Sequence, residues 1–318
     1  MEKSLIKKLQ CLNCTGQLYS IGHMQYLKCK VCDEEYPAVQ NSPILLSEQN
    51  NLFPKKVIFE SLNKRRKTKN KVLSKNYVPQ ISVNLARKNL DMYFHRVASL
   101  NEGEIYILVI GGGSQKLWLD KKASLYKNII LLYCDIDTSS IVDLYCDAHE
   151  LPFIDSSIDG IITTAVLEHV LYPEVVSAEI TRVLKTNGML YSEIPFMQQV
   201  HEGAYDFTRY SLSGHRRLFN MFKEIDSGLV AGPGTVLVWS IENFVLAFFS
   251  TNIIRKIIKG LVRYLFFWFK YFDYFLKNKK QAMDGASCTF FIGMKQNTII
   301  ADKKIINDYV GGKSYKHF

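Results

Sequence analysis

The sequence predicts a doubly wound α/β fold, preceded by a small four-cysteine metal module and interrupted by a helical insertion before its last strand. Three observations carry this. Two apolar runs, over 104–110 and 128–134, end in a glycine loop and in an acid, as buried parallel strands do at a ligand-binding edge. Two Cys-x-x-Cys pairs stand near the N-terminus. A basic, aromatic segment with helical spacing occupies 252–277, ahead of a final apolar run at 286–295.

The 318 residues suffice for one large domain with accessories. With 47% hydrophobic and 22% charged residues the chain is globular rather than disordered, and it has no tandem repeat of solenoid period. The first residues carry no apolar signal core and no small-residue cleavage site, which points to the cytoplasm. The net charge of +10 is concentrated in two places. Segment 54–75 holds nine Lys/Arg against Glu60, and segment 251–280 holds eight against Asp273, so the remainder is mildly acidic. That excludes a generally basic nucleic-acid binder and leaves two basic segments to explain.

The cysteine pairs come first. Cys11-Leu-Asn-Cys14 and Cys29-Lys-Val-Cys32 are fourteen residues apart, a spacing that lets two knuckles present four thiolates to one structural zinc. Disulfides are the alternative, although nothing signals an oxidising compartment. Cys134, Cys146 and Cys288 lie in apolar runs and read as small core residues. Cys32-Asp-Glu-Glu-Tyr36-Pro37, followed by Pro43-Ile-Leu-Leu46, resembles the small zinc-binding activator family that partners RNA and protein methyltransferases. The resemblance covers about residues 9–46 and implies a stabilising module, a zinc ribbon at 1–48, without chemistry of its own.

A basic connector and leading helix follow over 49–100. The strand over 104–110 then runs into Gly111-Gly112-Gly113, where glycine lets the backbone approach a ligand. The second strand ends at Asp135, suited to a ribose diol. Asp147-Ala148-His-Glu-Leu-Pro-Phe153, Leu167-Glu168-His169-Val170 and Arg182-Val-Leu-Lys-Thr-Asn187-Gly188 come next, the last ending a helix before another strand. In this order the pieces resemble class I S-adenosylmethionine-dependent methyltransferases of the type 11 kind, over about 103–235 and again near 286–295. The resemblance implies a Rossmann-like methyltransferase domain over 101–297. It assigns Gly111 and Gly113 to the methionine end of S-adenosylmethionine, Asp135 to the ribose, and Asp147 with the Ala148 backbone to adenine. Two positions depart from the pattern. Val109 stands where the family has an acid two residues before the first glycine, and Gln115 replaces the third glycine.

After the fifth strand, His201-x-x-x-Tyr205-Asp206-Phe207-x-Arg209-Tyr210 resembles a subgroup met among cell-envelope sugar- and lipid-modifying enzymes. Transfer of a methyl group to a hydroxyl needs alignment and removal of a proton. His201 is the candidate base, Asp206 its orienting partner or a sugar ligand, and Arg209 a fork for a substrate phosphate or carboxylate. Asp206 and Arg209 are also spaced for a plain ion pair. His169 reads as a structural residue at a helix start.

From 252 the polar positions Arg255, Lys256, Lys259, Arg263 and Lys270 repeat at helical steps, with Ile257, Leu261, Leu265, Trp268 and Phe272 on the other face. This predicts a long amphipathic helix, with Gly260 as a place to break, inside an insert at about 235–282. No uncharged run there is long enough to cross a bilayer. The pattern suits a helix lying in a membrane surface with its lysines toward anionic head groups, or a helix packed on the protein itself. Residues 298–318 read as a tail. The expectation is O-methylation of a membrane-associated saccharide or lipid-linked glycan by a peripheral enzyme on the inner face of the membrane. An RNA methyltransferase using the ribbon and connector, or a non-catalytic membrane scaffold, are the alternatives.

Overall fold

The computed structural model describes residues 3–22, 24–65, 84–112 and 115–312. The loop glycine Gly113 and the basic residues of the connector from Arg66 to Lys75 lie outside these.

The N-terminal part is a short helix, α1 (Lys3–Ile6), and four small strands, β1 (Leu18–Ile21), β2 (Tyr26–Cys29), β3 (Glu35–Val39) and β4 (Ser42–Leu45). β1 to β4 pair antiparallel in sequence. The two knuckles meet: Cys11 Sγ lies 3.6 Å from Cys32 Sγ and Cys14 Sγ 3.4 Å from Cys29 Sγ. Four sulfurs at ~2.3 Å from a zinc ion are about 3.8 Å apart, so the four cysteines fit a zinc ribbon. The backbone supports the sulfurs, with the Asn13 and Val31 amides donating to Cys11 and Cys29 at 3.4 and 3.3 Å. Gly16 has no room for a side chain, since a Cβ there would stand 2.8 Å from Cys29 Sγ.

Two helices, α2 (Lys55–Arg65) and α3 (Ala86–Val97), lead into the main sheet. The chain then runs β5 (Ile105–Ile110), α4 (Lys116–Ala123), β6 (Ile129–Asp135), β7 (Leu144–Cys146), β8 (Ile158–Thr164), α5 (Pro173–Val183) and β9 (Leu184–Pro195). It continues through α6 (Leu212–Leu218), β10 (Phe222–Ala231), three insert helices α7 (Pro233–Leu246), α8 (Asn252–Phe266) and α9 (Phe272–Leu276), and ends with β11 (Cys288–Lys295) and α10 (Asp302–Asn307).

Strands β7-β6-β5-β8-β9 are parallel, and β11 lies antiparallel between β9 and β10. The direction of winding reverses between β5 and β8, the switch point where open α/β sheets bind ligands. β5 is buried along its whole length, which explains why it reads as an unbroken apolar run, and β8 is equally buried although it carries Asp159 and two threonines. The ribbon is continuous with this sheet. β4 pairs in parallel with β7, Ile44 opposite Tyr145 and Leu45 opposite Cys146, giving eleven strands in one order. Leu5, Leu9, Leu18 and Leu27 share a core with Leu108, Leu144 and Phe153, so the four-cysteine module and the main domain bury one apolar layer together.

Two expectations change here and a third is filled in. The insert does lie between β10 and β11, but α8 runs through Gly260 and gives way at Phe267 to a 3₁₀ turn, Phe267–Tyr271. Gly260 has open space around it and nothing to break for. The tail is tied to the body as far as 312: the Ile300 amide donates to the Asn220 carbonyl at 2.8 Å, and Arg216 donates to the Asp308 carbonyl at 2.5 Å. Leu167–Val170 is a turn that precedes α5, not a helix start.

His215 on α6 holds the antiparallel part together. It is fully buried against Phe219 and Phe291, with Nε2 2.9 Å from Ser192 Oγ of β9. Burial pushes its imidazole from 6.5 down to about 3. Between these values the unfolded chain binds a proton that the native one does not, so stability is full above pH 6.5 and is lost as the pH falls toward 3. The melting temperature should therefore drop more steeply between pH 7 and pH 5 in the wild type than in a His215→Gln variant. Parallel curves would remove His215 as the cause.

Candidate active site

A cavity of about 770 Å³ opens at the carboxyl ends of the parallel strands. Ile110 and Gly111 after β5, Cys134 and Asp135 at the end of β6, Cys146 and Asp147 after β7, and Thr164 of β8 all line it. Gly111 has a left-handed φ of +70°, and a Cβ there would stand 2.3 Å from Val166 Cγ2. Only glycine satisfies both constraints.

Asp135 faces the cavity and is braced from behind. Its two oxygens accept from the Asp137 amide and Ser140 Oγ, both at 3.0 Å. Burial outweighs these bonds and raises its carboxyl above the ordinary value. A ribose diol donating two hydrogen bonds would hold it ionised. Asp147 is more strongly held. Oδ1 accepts from the His149 amide and ring Nδ1 at 2.9 and 2.6 Å, and Oδ2 accepts from Asn50 Nδ2 at 2.8 Å. Burial works to raise its carboxyl, but these donors prevail and hold it below the ordinary value. Three of a carboxylate's roughly four acceptor sites are thus filled, leaving one for an exocyclic amine. Ala148 lines the same wall.

The motif residues downstream fix this loop. Arg182 donates to the Phe153 and Leu151 carbonyls at 2.7 and 2.8 Å, and Glu179 Oε2 accepts the Leu151 amide at 2.8 Å. The Leu151-Pro-Phe segment and the Glu179/Arg182 pair on α5 are therefore one structural unit. Of the two departures, Val109 sits in the core on the other side of β5 and does not line the cavity. Gln115 does line it, at the start of α4.

One wall was not visible in the sequence. Leu52, Phe53, Ile58 and Ser61, from the segment just after the ribbon, also line the cavity. Asn50 from the same segment is the residue that grips Asp147. Their signal is absent because they act through contacts across about a hundred residues of chain.

At the other end of the cavity His201, Glu202, Tyr205 and Phe207 come from the loop after β9, and His169 from the turn after β8. His201 Nε2 lies 3.1 Å from His169 Nε2. Glu168 Oε1 lies 3.6 Å from the latter and 4.0 Å from the former. Burial raises the Glu168 carboxyl to about 7. His169, read as structural, thus faces the cavity beside His201, and Glu168 next to it was not singled out; in sequence the Leu-Glu-His-Val element gave no sign of what it faces.

Asp206 stands behind His201, with Oδ2 3.3 Å from Nδ1 and 2.9 Å from the His201 amide. Arg209 corrects an expectation. All five of its N–H groups are spent inside the protein, on both Asp206 oxygens and on the Gln198, Gln199 and Thr208 carbonyls. It has no donor left for a substrate phosphate. Instead the hydrogen bonds from Arg209 hold the Asp206 carboxyl well below its usual range, so that Asp206 stays charged behind His201. Neither Asp206 nor Arg209 lines the cavity.

A Rossmann-like sheet with a pocket at its switch point, two acids spaced along it and a polar cluster beyond the glycine turn is an arrangement that suits a nucleotide-like cofactor. Residues 122–192, from the end of α4 through most of β9, match the family model described as a methyltransferase domain. This stretch of the chain is thus part of a methyltransferase domain, and the cavity beside it is the candidate site for S-adenosylmethionine. No curated protein sequence matches the chain. Among solved structures, it resembles the Haemonchus contortus phosphoethanolamine N-methyltransferase 2 in complex with S-adenosyl-L-methionine at 16% identity, over 66% of this chain and 53% of that one, with a TM-score of 0.41. It also resembles the YcgJ protein of Bacillus subtilis at 15% identity, over 67% and 100% of the two chains, with a TM-score of 0.40. The cyclase SpnF resembles it at 13% identity over 77% and 93%, with a TM-score of 0.41. These likenesses are distant, and the assignment rests on the family match together with the pocket.

Calorimetry should detect S-adenosylmethionine binding to the wild type. Asp135→Ala and Asp147→Ala should each weaken it by about 1–3 kcal/mol, the cost of an unmade hydrogen bond at a buried polar group. Asn50→Ala should weaken it less, because Asp147 keeps His149. Equal affinities in all four proteins would exclude this pocket as the cofactor site.

Proposed function

We propose that the protein O-methylates a saccharide or lipid-linked glycan while docked on an anionic membrane surface, and that its four N-terminal cysteines hold a structural zinc ion. The observation that carries the docking is the direction in which the insert turns its faces. Ile253, Ile257, Leu261, Leu265, Trp268, Phe272 and Phe275 form a continuous apolar stripe along α8 and α9, and every one is exposed. Phe244 and Phe248 at the end of α7 are exposed as well. Val262 is the one residue of α8 among those described as buried. No helix among the described residues is long and apolar enough to cross a membrane.

The basic face behaves differently from the expectation of lysines pointing at head groups. Arg255 donates to the Leu246 and Phe249 carbonyls at 2.6 and 2.8 Å, capping the end of α7. Arg263 and Lys259 pair with Glu242 of α7 at 2.6 and 3.4 Å. These charges secure α8 to the protein and thereby commit its apolar face outward. Such a helix gains nothing from its exposed side in water, whereas burying that side among acyl chains is favourable. Lys256 near the start of the stripe, and Lys277, Lys279 and Lys280 beyond its end, remain exposed for anionic head groups. The absence of acids along α8 suits the same surface.

Methyl transfer from the sulfonium is an in-line displacement: the acceptor oxygen bonds to the methyl carbon as the carbon–sulfur bond breaks, and S-adenosylhomocysteine leaves neutral. The acceptor enters past Tyr205 and Phe207, aromatic surfaces on which a sugar ring can lie. Its proton goes to His201, whose ring Asp206 orients and whose charged form Asp206 stabilises. A membrane-bound acceptor confines the search to a plane, which gives the outward stripe a reason to exist.

Flotation tests the docking. With vesicles containing phosphatidylglycerol at moderate salt, the wild type should float and an Ile257→Glu/Leu265→Glu variant should stay in the dense fraction. A wild type that stays behind contradicts the proposal, as does a dimer in solution that the same pair of substitutions dissolves. On floated protein, labelled methyl from S-adenosylmethionine should enter the glycolipid extract of added membranes and not a bulk RNA fraction.

A further inference from the structure

We infer that Glu168, His169 and His201 form a site for a divalent transition-metal ion at the acceptor end of the cavity, one that binds the acceptor hydroxyl directly. The inference rests on the reading of this pocket as the place where a hydroxyl receives the methyl group, and it changes the work of His201 from base to ligand. The argument is one of hydrogen-bond accounting. His169 Nδ1 lies 2.5 Å from the Tyr205 carbonyl, which can only accept, so the ring proton sits on Nδ1 and the lone pair on Nε2. His201 Nδ1 lies 3.3 Å from Asp206 Oδ2 and 3.4 Å from the Gln199 carbonyl, again acceptors. The Gln198 amide, also 3.4 Å away, can turn its oxygen to the same nitrogen. His201 Nε2 therefore carries a lone pair too.

Two lone pairs thus face each other across 3.1 Å, with a carboxylate beside them. That arrangement is repulsive by itself and becomes favourable around a cation. Nitrogens bound at ~2.1 Å to one ion at a right angle are about 3.0 Å apart, which matches the observed separation. Glu168 supplies an independent sign. It is 1% exposed, and its Oε2 has no hydrogen-bond partner although it is buried. A buried carboxylate oxygen without a partner is costly, and a metal ion next to it would relieve that cost. The three ligating atoms lie within 4.8 Å of one another.

The second layer is the kind that metal sites need. The Tyr205 carbonyl and the Asp206 carboxylate fix the two rings so that both present Nε2 inward, and Arg209 fixes Asp206. Two imidazoles and one carboxylate leave ligand positions open toward the cavity, and this donor set suits manganese, iron, cobalt or zinc rather than calcium or magnesium. An acceptor with two neighbouring oxygens, such as a vicinal diol or a hydroxyl beside a carboxylate, would fill them. Bound to the ion, the hydroxyl gives up its proton to solvent more readily, and its oxygen then takes the methyl group as the carbon–sulfur bond breaks.

The test is titration of the full-length protein with Mn²⁺, followed by the loss of the free-ion paramagnetic resonance signal, and then with Co²⁺. Both ions are added to protein that retains its ribbon metal. One ion per chain should bind beyond the ribbon. His201→Gln, on an exposed loop, and Glu168→Gln should each weaken it tenfold or more. S-adenosylmethionine affinity is measured on the same samples. No binding of either ion, or binding that both variants retain, overturns the site, and the methyltransferase reading stands if the cofactor still binds. Ion binding without cofactor binding in the wild type would remove that reading and leave the ion site.

Discussion

The parallel pairing of β4 with β7 is the contact on which the rest depends. Two residue pairs, Ile44 with Tyr145 and Leu45 with Cys146, make the four-cysteine module the edge of the main sheet. Ser42 Oγ adds a bond to the Val142 carbonyl at 2.6 Å, and the Gln10 amide and Lys8 carbonyl pair with Pro152 and Ile154 on the other side of Asp147. The loop that carries Asp147 is thereby held between the ribbon and Arg182 of α5. A strand at the edge of an open sheet would otherwise expose unpaired backbone, and the ribbon covers it. The chain leaving β4 leads directly to the cavity, where Asn50 reaches Asp147 and Leu52, Phe53, Ile58 and Ser61 form part of the wall. The four-cysteine module thus sets the position of one wall of the cavity.

The opposite end of the sheet obeys a different constraint. The insert is tied to the body by charge. Asp273 is buried and accepts the Gly234 and Thr235 amides at 2.7 and 2.9 Å, closing the free N–H groups at the start of α7. Glu242 collects Arg263 and Lys259. With the polar groups used in this way, the aromatic and aliphatic side chains have only the outside left. Ordinary surface helices are arranged the other way round. The periodicity of residues 252–277 was plain in the sequence, yet which face turned inward was not, because hydrophobic period gives the width of a stripe and not its direction. Glu242, ten residues upstream of the helix and the one charged residue between Asp226 and Arg255, was the available clue.

Legibility followed range. Cys11, Cys14, Cys29 and Cys32, Gly111, Asp135 and Asp147 announce themselves through local spacing and through strand ends, and the structure puts them together at two sites. The fold class and the insertion before β11 were readable for the same reason. His169 was passed over because its partner, His201, lies thirty-two residues on in another loop. Arg209 invited a substrate role because its fork geometry is general, but the loop carbonyls that use up its donors have no sequence signature. Asn50 and Phe53 belong to a stretch whose composition says only that it is a connector.

The central claim is that the four-cysteine ribbon and the candidate cofactor pocket are one structural unit, coupled through β4 and β7. The direct measurement is the affinity for S-adenosylmethionine before and after the ribbon metal is removed with a chelator, with metal-restored protein as the control. Removing the metal frees four thiols, loosens β4 and releases Asn50 from Asp147, so affinity should fall and return when zinc is added back. Unchanged affinity in protein shown to be metal-free would mean that the pocket stands without the ribbon, and the account would be wrong.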